Sequence, residues 1–281
     1  MHRLVGAIAG LDALDPVGEK LGKLVRDATQ KPKRLKELLS GSWLGHPVHP
    51  LLTDVTIGTL TSALLLDWLG GDDSRPAARR LIGIGLLSAT PVVASGASDW
   101  GDAEPADESV RRIGIVHATS NAIATTLFAA SYAARRRGQD GRLLALAGGA
   151  ALSAGGYLGG HLAFAEGVGV DHTVFEHGPD GWTDVLAEST LQDGKPRCVQ
   201  ADGTAVMVVK RRGALFALSD HCSHLGGPLH EGTFTDTTVT CPLHESVFDL
   251  RDGTLIHGPA AYPQPAWDAR ARAGRVEVRR R

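Results

Sequence analysis

Cysteine is scarce in this chain, at three in 281 residues, and so are methionine, at two, and aromatic residues, at 5%. Three cysteines exclude a disulfide-stapled scaffold, which needs several pairs. The formal charge is close to balanced, at −2. With no basic block interleaved with stacking aromatics, nucleic acid is excluded as a partner. No early apolar core with a small-residue cleavage site follows Met1, so no signal peptide is expected. Charge is also missing locally: residues 81–98, 113–134 and 143–165 contain no Asp, Glu, Lys or Arg. Soluble helices of that length show a charged face, and these do not.

Two of the cysteines lie in the most specific pattern in the chain. Cys222-x-His224 is followed, after sixteen residues, by Cys241-x-x-His244. Two thiolates and two imidazoles on two loops make a metal site, and a mononuclear tetrahedral zinc would accept the same four ligands. Gly226-Gly227-Pro228, Pro242 and Gly258-Pro259-Ala260 add glycine and proline where a backbone must curl close around a centre.

In ligands and loop residues together, the stretch from about Trp182 to the C-terminus resembles the Rieske [2Fe-2S] domain. The resemblance implies that Cys222 and Cys241 hold one iron and His224 and His244 the other. It is nearer to ferredoxin-type domains than to the respiratory quinol-oxidising branch. That branch carries a disulfide at positions matching Gly227 and Leu243, and its cluster-proximal Tyr is replaced here by Phe248, while Ser246 is retained. Loss of a hydroxyl donor implies a potential toward the low end of the family range of roughly −150 to +300 mV. The resemblance further implies a small antiparallel barrel with the cluster loops at one tip. Strands are expected over 204–210 and 214–218, as a hairpin around Arg211-Arg212-Gly213, and near 238–240, 247–249 and 276–278. Cys198 is expected to be a buried, inert thiol, and His221 an exposed neighbour of the site. An unpaired thiol beside a disulfide-free site points to a reducing compartment.

Upstream, residues 51–69 join the three charge-free runs as segments of bilayer-spanning length. Gly155-xxx-Gly159 and Gly156-xxx-Gly160 would permit close helix contact in lipid. This half resembles a family of small four-helix membrane domains beginning with an H-P-x-H-P motif, here His46-Pro47-Val48-His49-Pro50. Four alternating crossings would bring His46, His49, Asp54, Asp99, His117 and His161 toward one face, with Asp67 near the other. Three uses are open: His117 and His161 as axial ligands of haem b, a metal or quinone site built on His46, His49 and Asp54, or histidines that only tie helices together. Residues 21–39 have helical periodicity, either lying on anionic lipid or packed on the protein.

The expected architecture is multi-domain: an all-α four-helix transmembrane bundle followed by an all-β Rieske-type antiparallel barrel or sandwich. Its parts are a polar basic tail over 1–45, the membrane domain over 46–166, a linker over 167–181 and the Rieske domain over 182–281. With 37 residues after His244, no mononuclear iron oxygenase domain is expected. The expected role is a membrane-anchored, multi-pass electron carrier that exchanges single electrons between a soluble reductase or ferredoxin and a redox group, such as a quinone, in or near the lipid bilayer. A membrane oxidoreductase using the histidine face and a redox sensor are the alternatives. Lys and Arg flanking the spans divide seven to six between the two sides, which fixes no orientation. With no export signal evident, the cluster domain is expected to be cytoplasmic.

Overall fold

The computed structural model describes residues 2–281. They form two compact units, one comprising residues 2–35 and Val48–Val168, the other Lys36–Pro47 and Gly169–Arg281.

The helices are α1 (His2–Ala9), α2 (Asp15–Thr29), α3 (Lys33–Ser40), α4 (Val48–Leu69), α5 (Arg75–Ala103), α6 (Glu108–Arg136) and α7 (Arg142–Phe164). There are thus seven among the described residues rather than four. The four long ones cover the four apolar runs, and the stretch taken for a polar tail folds into the three short ones. The single helix expected over 21–39 is broken, because Pro32 disfavours helical backbone at the residue before it and cannot donate its own amide. The helices carrying the three charge-free runs are long and apolar enough to cross a membrane, by length and composition.

In the first unit, Leu60, Ala63, Ala78, Ile82, Phe128 and Ala145 form a core. Helix α7 approaches α6 through its glycines: a Cβ on Gly148 would meet the Phe128 ring at 3.0 Å, and one on Gly155 would meet Asn121 Oδ1 at 2.5 Å. Only one of the two overlapping glycine motifs faces a neighbour. Gly156 and Gly160 have nothing within 4 Å of an added Cβ. Asp67 and Arg135 form a two-pronged ion pair at 2.7 and 2.5 Å that locks α4 to α6. Asp107 caps α6 by accepting the Ser109 amide at 2.6 Å.

The second unit contains an antiparallel six-stranded sheet in the order β1-β10-β9-β4-β3-β2 and a four-stranded sheet β5-β6-β7-β8. Its strands are β1 (Thr183–Ala187), β2 (Arg197–Ala201), β3 (Thr204–Arg211), β4 (Ala214–Ser219), β5 (Thr233–Phe234), β6 (Thr238–Thr240), β7 (Val247–Asp249), β8 (Leu255–His257), β9 (Ala266–Arg272) and β10 (Arg275–Arg280). The β3–β4 hairpin turns on Arg212 and Gly213, both at positive φ, which matches the twist of the strands it joins. Met207, Val209, Leu218, Leu229, Val239, Phe248, Leu250 and Ala260 pack into one core with Cys222 and Cys241. Both cysteines are therefore seated in apolar surroundings at the ends of two loops, one following β4 and the other joining β6 to β7.

Candidate metal centre

The first loop is closed by its own backbone. The Cys222 amide donates to the Gly227 carbonyl and the Gly226 amide to the Cys222 carbonyl, both at 2.8 Å. Gly226 sits at φ +68°, where a side chain would be strained. Buried Asp220 braces the base of the loop. Its carbonyl accepts the Leu229 amide at 2.8 Å, and its carboxylate accepts the His230 amide at 2.9 Å and pairs with His230 Nδ1 at 2.8 Å. The second loop is closed by the Cys241 amide donating to the Ser246 carbonyl at 2.8 Å. A third loop after β8 joins it, where the Ala260 amide donates to Ser246 Oγ at 2.9 Å.

Between the two loops the four motif residues converge. The His224 and His244 rings lie edge to face with centroids 5.1 Å apart. The two thiols are neighbours and shift one another, with Cys222 keeping its proton in favour of Cys241. That interaction, helped by the Leu243 and His244 amides and opposed by burial, brings the Cys241 thiol down to about 7. The same interaction and burial push Cys222 up, against the His224 and Leu225 amides, which favour its thiolate. Both sulfurs are buried, and the neighbouring backbone amides favour their thiolate forms. That is a donor set built for thiolates bound to a cation, with two half-buried imidazoles beside it. The residues fit a group that takes two thiolates on one side and two neutral imidazoles on the other.

The positions that match the respiratory disulfide are neighbours here: a Cβ on Gly227 would stand 2.9 Å from Leu243 Cγ. Phe248 is wholly buried on β7, and Ser246 serves the third loop through its Oγ. Cys198 is exposed rather than buried. β2 is the edge strand of its sheet, which leaves the side chain open to solvent. Local desolvation and the neighbouring Asp220 nevertheless push its thiol up to about 11. His221 is exposed, paired through Nδ1 with Glu176 at 2.9 Å.

Several supporting residues are not evident from the motif. Buried Gln264 accepts the Ser223 amide at 3.0 Å through Oε1 and donates through Nε2 to the carbonyls of Ser219 at 2.8 Å and His221 at 2.6 Å. The segment Lys36–Pro47, far away in sequence, packs on the third loop. Glu37 pairs with His257 Nδ1 at 2.8 Å, a Cβ on Gly258 would meet Ser42 Oγ at 2.6 Å, and the His46 ring stands edge-on to Tyr262 at 5.6 Å.

Each of the histidines grouped by the helix crossings has a partner of its own. His46 belongs to the second unit and His49 to the first. His49 Nδ1 faces the Val92 carbonyl at 3.0 Å and Ser95 Oγ at 3.1 Å, on α5. His117 Nδ1 donates to the Gly155 carbonyl on α7 at 2.8 Å, and Asn121 lies 3.2 Å from its Nε2. His161 Nε2 pairs with Glu166 at 3.2 Å, and Asp54 is exposed on α4. His49 and His117 therefore tie helices together through backbone carbonyls. The haem expectation for His117 and His161 rests on the sequence alone.

Residues 181–268 match the family described as the Rieske [2Fe-2S] domain, and residues 45–172 match the family described as predicted membrane protein (DUF2231). The chain is 33% identical over 98 residues to ferredoxin CarAc of Metapseudomonas resinovorans, a match covering 34% of this chain and 92% of that protein. It is 32% identical over 97 residues to the anthranilate 1,2-dioxygenase ferredoxin subunit of Burkholderia cepacia, covering 34% of this chain and 90% of that protein. Among solved structures it is similar to the ferredoxin of carbazole 1,9a-dioxygenase from Nocardioides aromaticivorans IC177. That match has 30% identity and a TM-score of 0.34, and covers 36% of this chain and 98% of that one.

Proposed function

The chain belongs to the Rieske [2Fe-2S] family through its C-terminal domain, with a DUF2231 membrane-protein domain upstream, and on that premise we propose that it is a membrane-anchored electron-transfer protein. Cys222 and Cys241 would hold one iron of the cluster, and His224 and His244 the other. Bound there, a [2Fe-2S] cluster supplies a one-electron couple. The observation that carries this reading is the meeting of two buried cysteines from two facing loops with the imidazole pair, 5.1 Å apart, alongside.

The chain's own residues set the terms of the transfer. The apolar core under Cys222 and Cys241 excludes water from the sulfurs, while His224 and His244 stand nearer the surface, where a redox partner can approach. Imidazoles there also offer groups whose protonation can follow the electron. The partner is a soluble reductase or ferredoxin on the cytoplasmic side. The counterpart is a quinone or another redox group in or near the bilayer, held there by the DUF2231 helices.

The test is a visible and electron paramagnetic resonance spectrum of the detergent-purified chain, oxidised and then reduced with dithionite. Broad absorption bleached on reduction, with a paramagnetic reduced state that is lost in Cys241→Ser, is the expected result. A colourless protein carrying one zinc per chain would overturn the reading, and an added Soret band would assign haem to the bundle. Recovery of the protein in the membrane fraction, released only by detergent, checks the anchoring.

A further inference from the structure

Helix α2 is packed in reverse. An amphipathic helix on a protein ordinarily turns its apolar stripe inward. Here Val17, Leu21 and Leu24, at i, i+4 and i+7, are 51%, 43% and 65% exposed. The inward face is made mostly of glycine and charge, with Val25 set against Gly101. A Cβ on Gly18 would meet the Arg111 side chain at 2.6 Å, and one on Gly22 would run into the Glu104 carboxylate. Asp15 receives Arg112 at 2.9 and 2.5 Å, Arg26 pairs with Glu104 and donates to the Gly101 carbonyl at 2.9 Å, and Arg111 Nε reaches Glu104 at 2.8 Å. Glu104 itself is almost wholly buried. These ion pairs fasten α2 across the turn where α5 ends and α6 begins, at the end of two segments long and apolar enough to span a membrane.

The outward surface combines this aliphatic stripe with basic charge. Over residues 3–35 the exposed ionic side chains are Arg3, Lys20, Lys23, Lys31, Lys33 and Arg34 against Asp12, Glu19 and Asp27. Leu4 and Leu11 extend the exposed aliphatic surface N-terminally. A short helix with aliphatic side chains on one face and lysines beside them suits the boundary between acyl chains and anionic headgroups. We infer that α2 lies in that boundary, its Val17–Leu21–Leu24 stripe inserted among acyl chains and its flanking lysines on anionic headgroups. The bilayer would thus cover the face that the protein leaves open. The inference rests on the membrane-anchored reading. It adds that the N-terminal helices form a lipid-charge-sensitive collar around the ends of α5 and α6.

The experiment uses cluster-loaded full-length protein, kept oxidised, in a Cys198→Ser background. A nitroxide is attached at Leu24→Cys, at Val17→Cys or, as a test of the span itself, at exposed Leu87→Cys in α5. Each protein is placed in nanodiscs of phosphatidylcholine with or without phosphatidylglycerol, and collision with oxygen and with a water-soluble nickel chelate is read. The expected result is a Leu87 label rich in oxygen and shielded from nickel. Labels at Leu24 and Val17 should sit at shallow depth, several-fold less accessible to nickel with phosphatidylglycerol than without it. Labels at Leu24 and Val17 open to nickel in both lipids, with Leu87 deep, would overturn the inference and leave the anchoring intact. A Leu24 label screened from both oxygen and nickel would also overturn it, assigning the face to a protein or a second copy. A Leu87 label open to nickel would sink the anchoring itself.

Discussion

Gly227 lies directly against Cys241: a Cβ added to the glycine would stand 2.9 Å from the cysteine sulfur and 3.0 Å from Leu243 Cδ1. The first cluster loop can therefore close over the second only while position 227 has no side chain. Gly227→Ala forces the sulfur or the Leu243 side chain to move, an overpacking cost of about 1–3 kcal/mol. The expected outcome is a lower iron content per chain and earlier bleaching of the visible band on heating. Gly226→Ala, in open space but at φ +68°, should cost about 1 kcal/mol through backbone strain and leave the sulfur where it is. Equal iron loading in Gly227→Ala and the native protein would show that the loops yield without consequence.

Gln264 binds three backbone groups of the first loop at once, while fully enclosed. Gln264→Leu preserves much of the volume and leaves the Ser223 amide and the Ser219 and His221 carbonyls without that partner. At about 1–3 kcal/mol for each buried group left unsatisfied, the loss should exceed that of an ordinary core substitution. Denaturant unfolding followed at the cluster absorption should show a clearly lower midpoint. An unchanged midpoint would mean that water or the loop itself replaces the side chain.

Cys198 is exposed, yet desolvation at the sulfur and Asp220 push its thiol up to about 11 from 9.0. At pH 8 this leaves about a hundredfold less thiolate than in a free cysteine. Iodoacetamide should therefore label the folded, cluster-loaded protein correspondingly slowly. Rapid labelling at pH 8 would contradict this. The folded value lies above the unfolded one, so the stability linked to the protonated thiol is fully present below pH 9 and is lost as pH rises through about 11. Cys198→Ser should flatten that alkaline limb of the pH–stability curve.

What could be read from the chain divides by range. The cluster loops are visible because the backbone bonds that shape them join residues within about one turn, so Gly226, Gly227 and Pro228 must stand beside the ligands. Three of the long helices are visible because each charge-free run is its own signal, and α4 because its run is charge-free apart from Asp54 and Asp67. Gln264 is not, since nothing near it in sequence reveals a partner 41 residues away, and the contact between Glu37 and His257 spans 220 residues. The orientation of α2 was hidden for another reason. Its periodicity reports an apolar face and a polar face but not which one meets the protein, and here the ion pairs around Glu104 decide it.

The same logic gives a test inside the bundle. The Asp67 and Arg135 side chains are 0% and 8% exposed, in a unit whose core is otherwise apolar. Removing one partner leaves a buried charge unmatched. Asp67→Asn or Arg135→Met should therefore destabilise the first unit by about 3–5 kcal/mol, seen as earlier thermal aggregation in detergent. Replacing both, as Asp67→Leu with Arg135→Met, removes the pair together with its desolvation cost and should recover most of that loss. A double variant as unstable as the sum of the single ones would mean that each side chain acts separately. For Arg135 that separate role would be its second bond, to Ser131 Oγ at 3.1 Å, which supports the turn into α7 because Ser131 Oγ also donates to the Gly141 carbonyl at 2.7 Å.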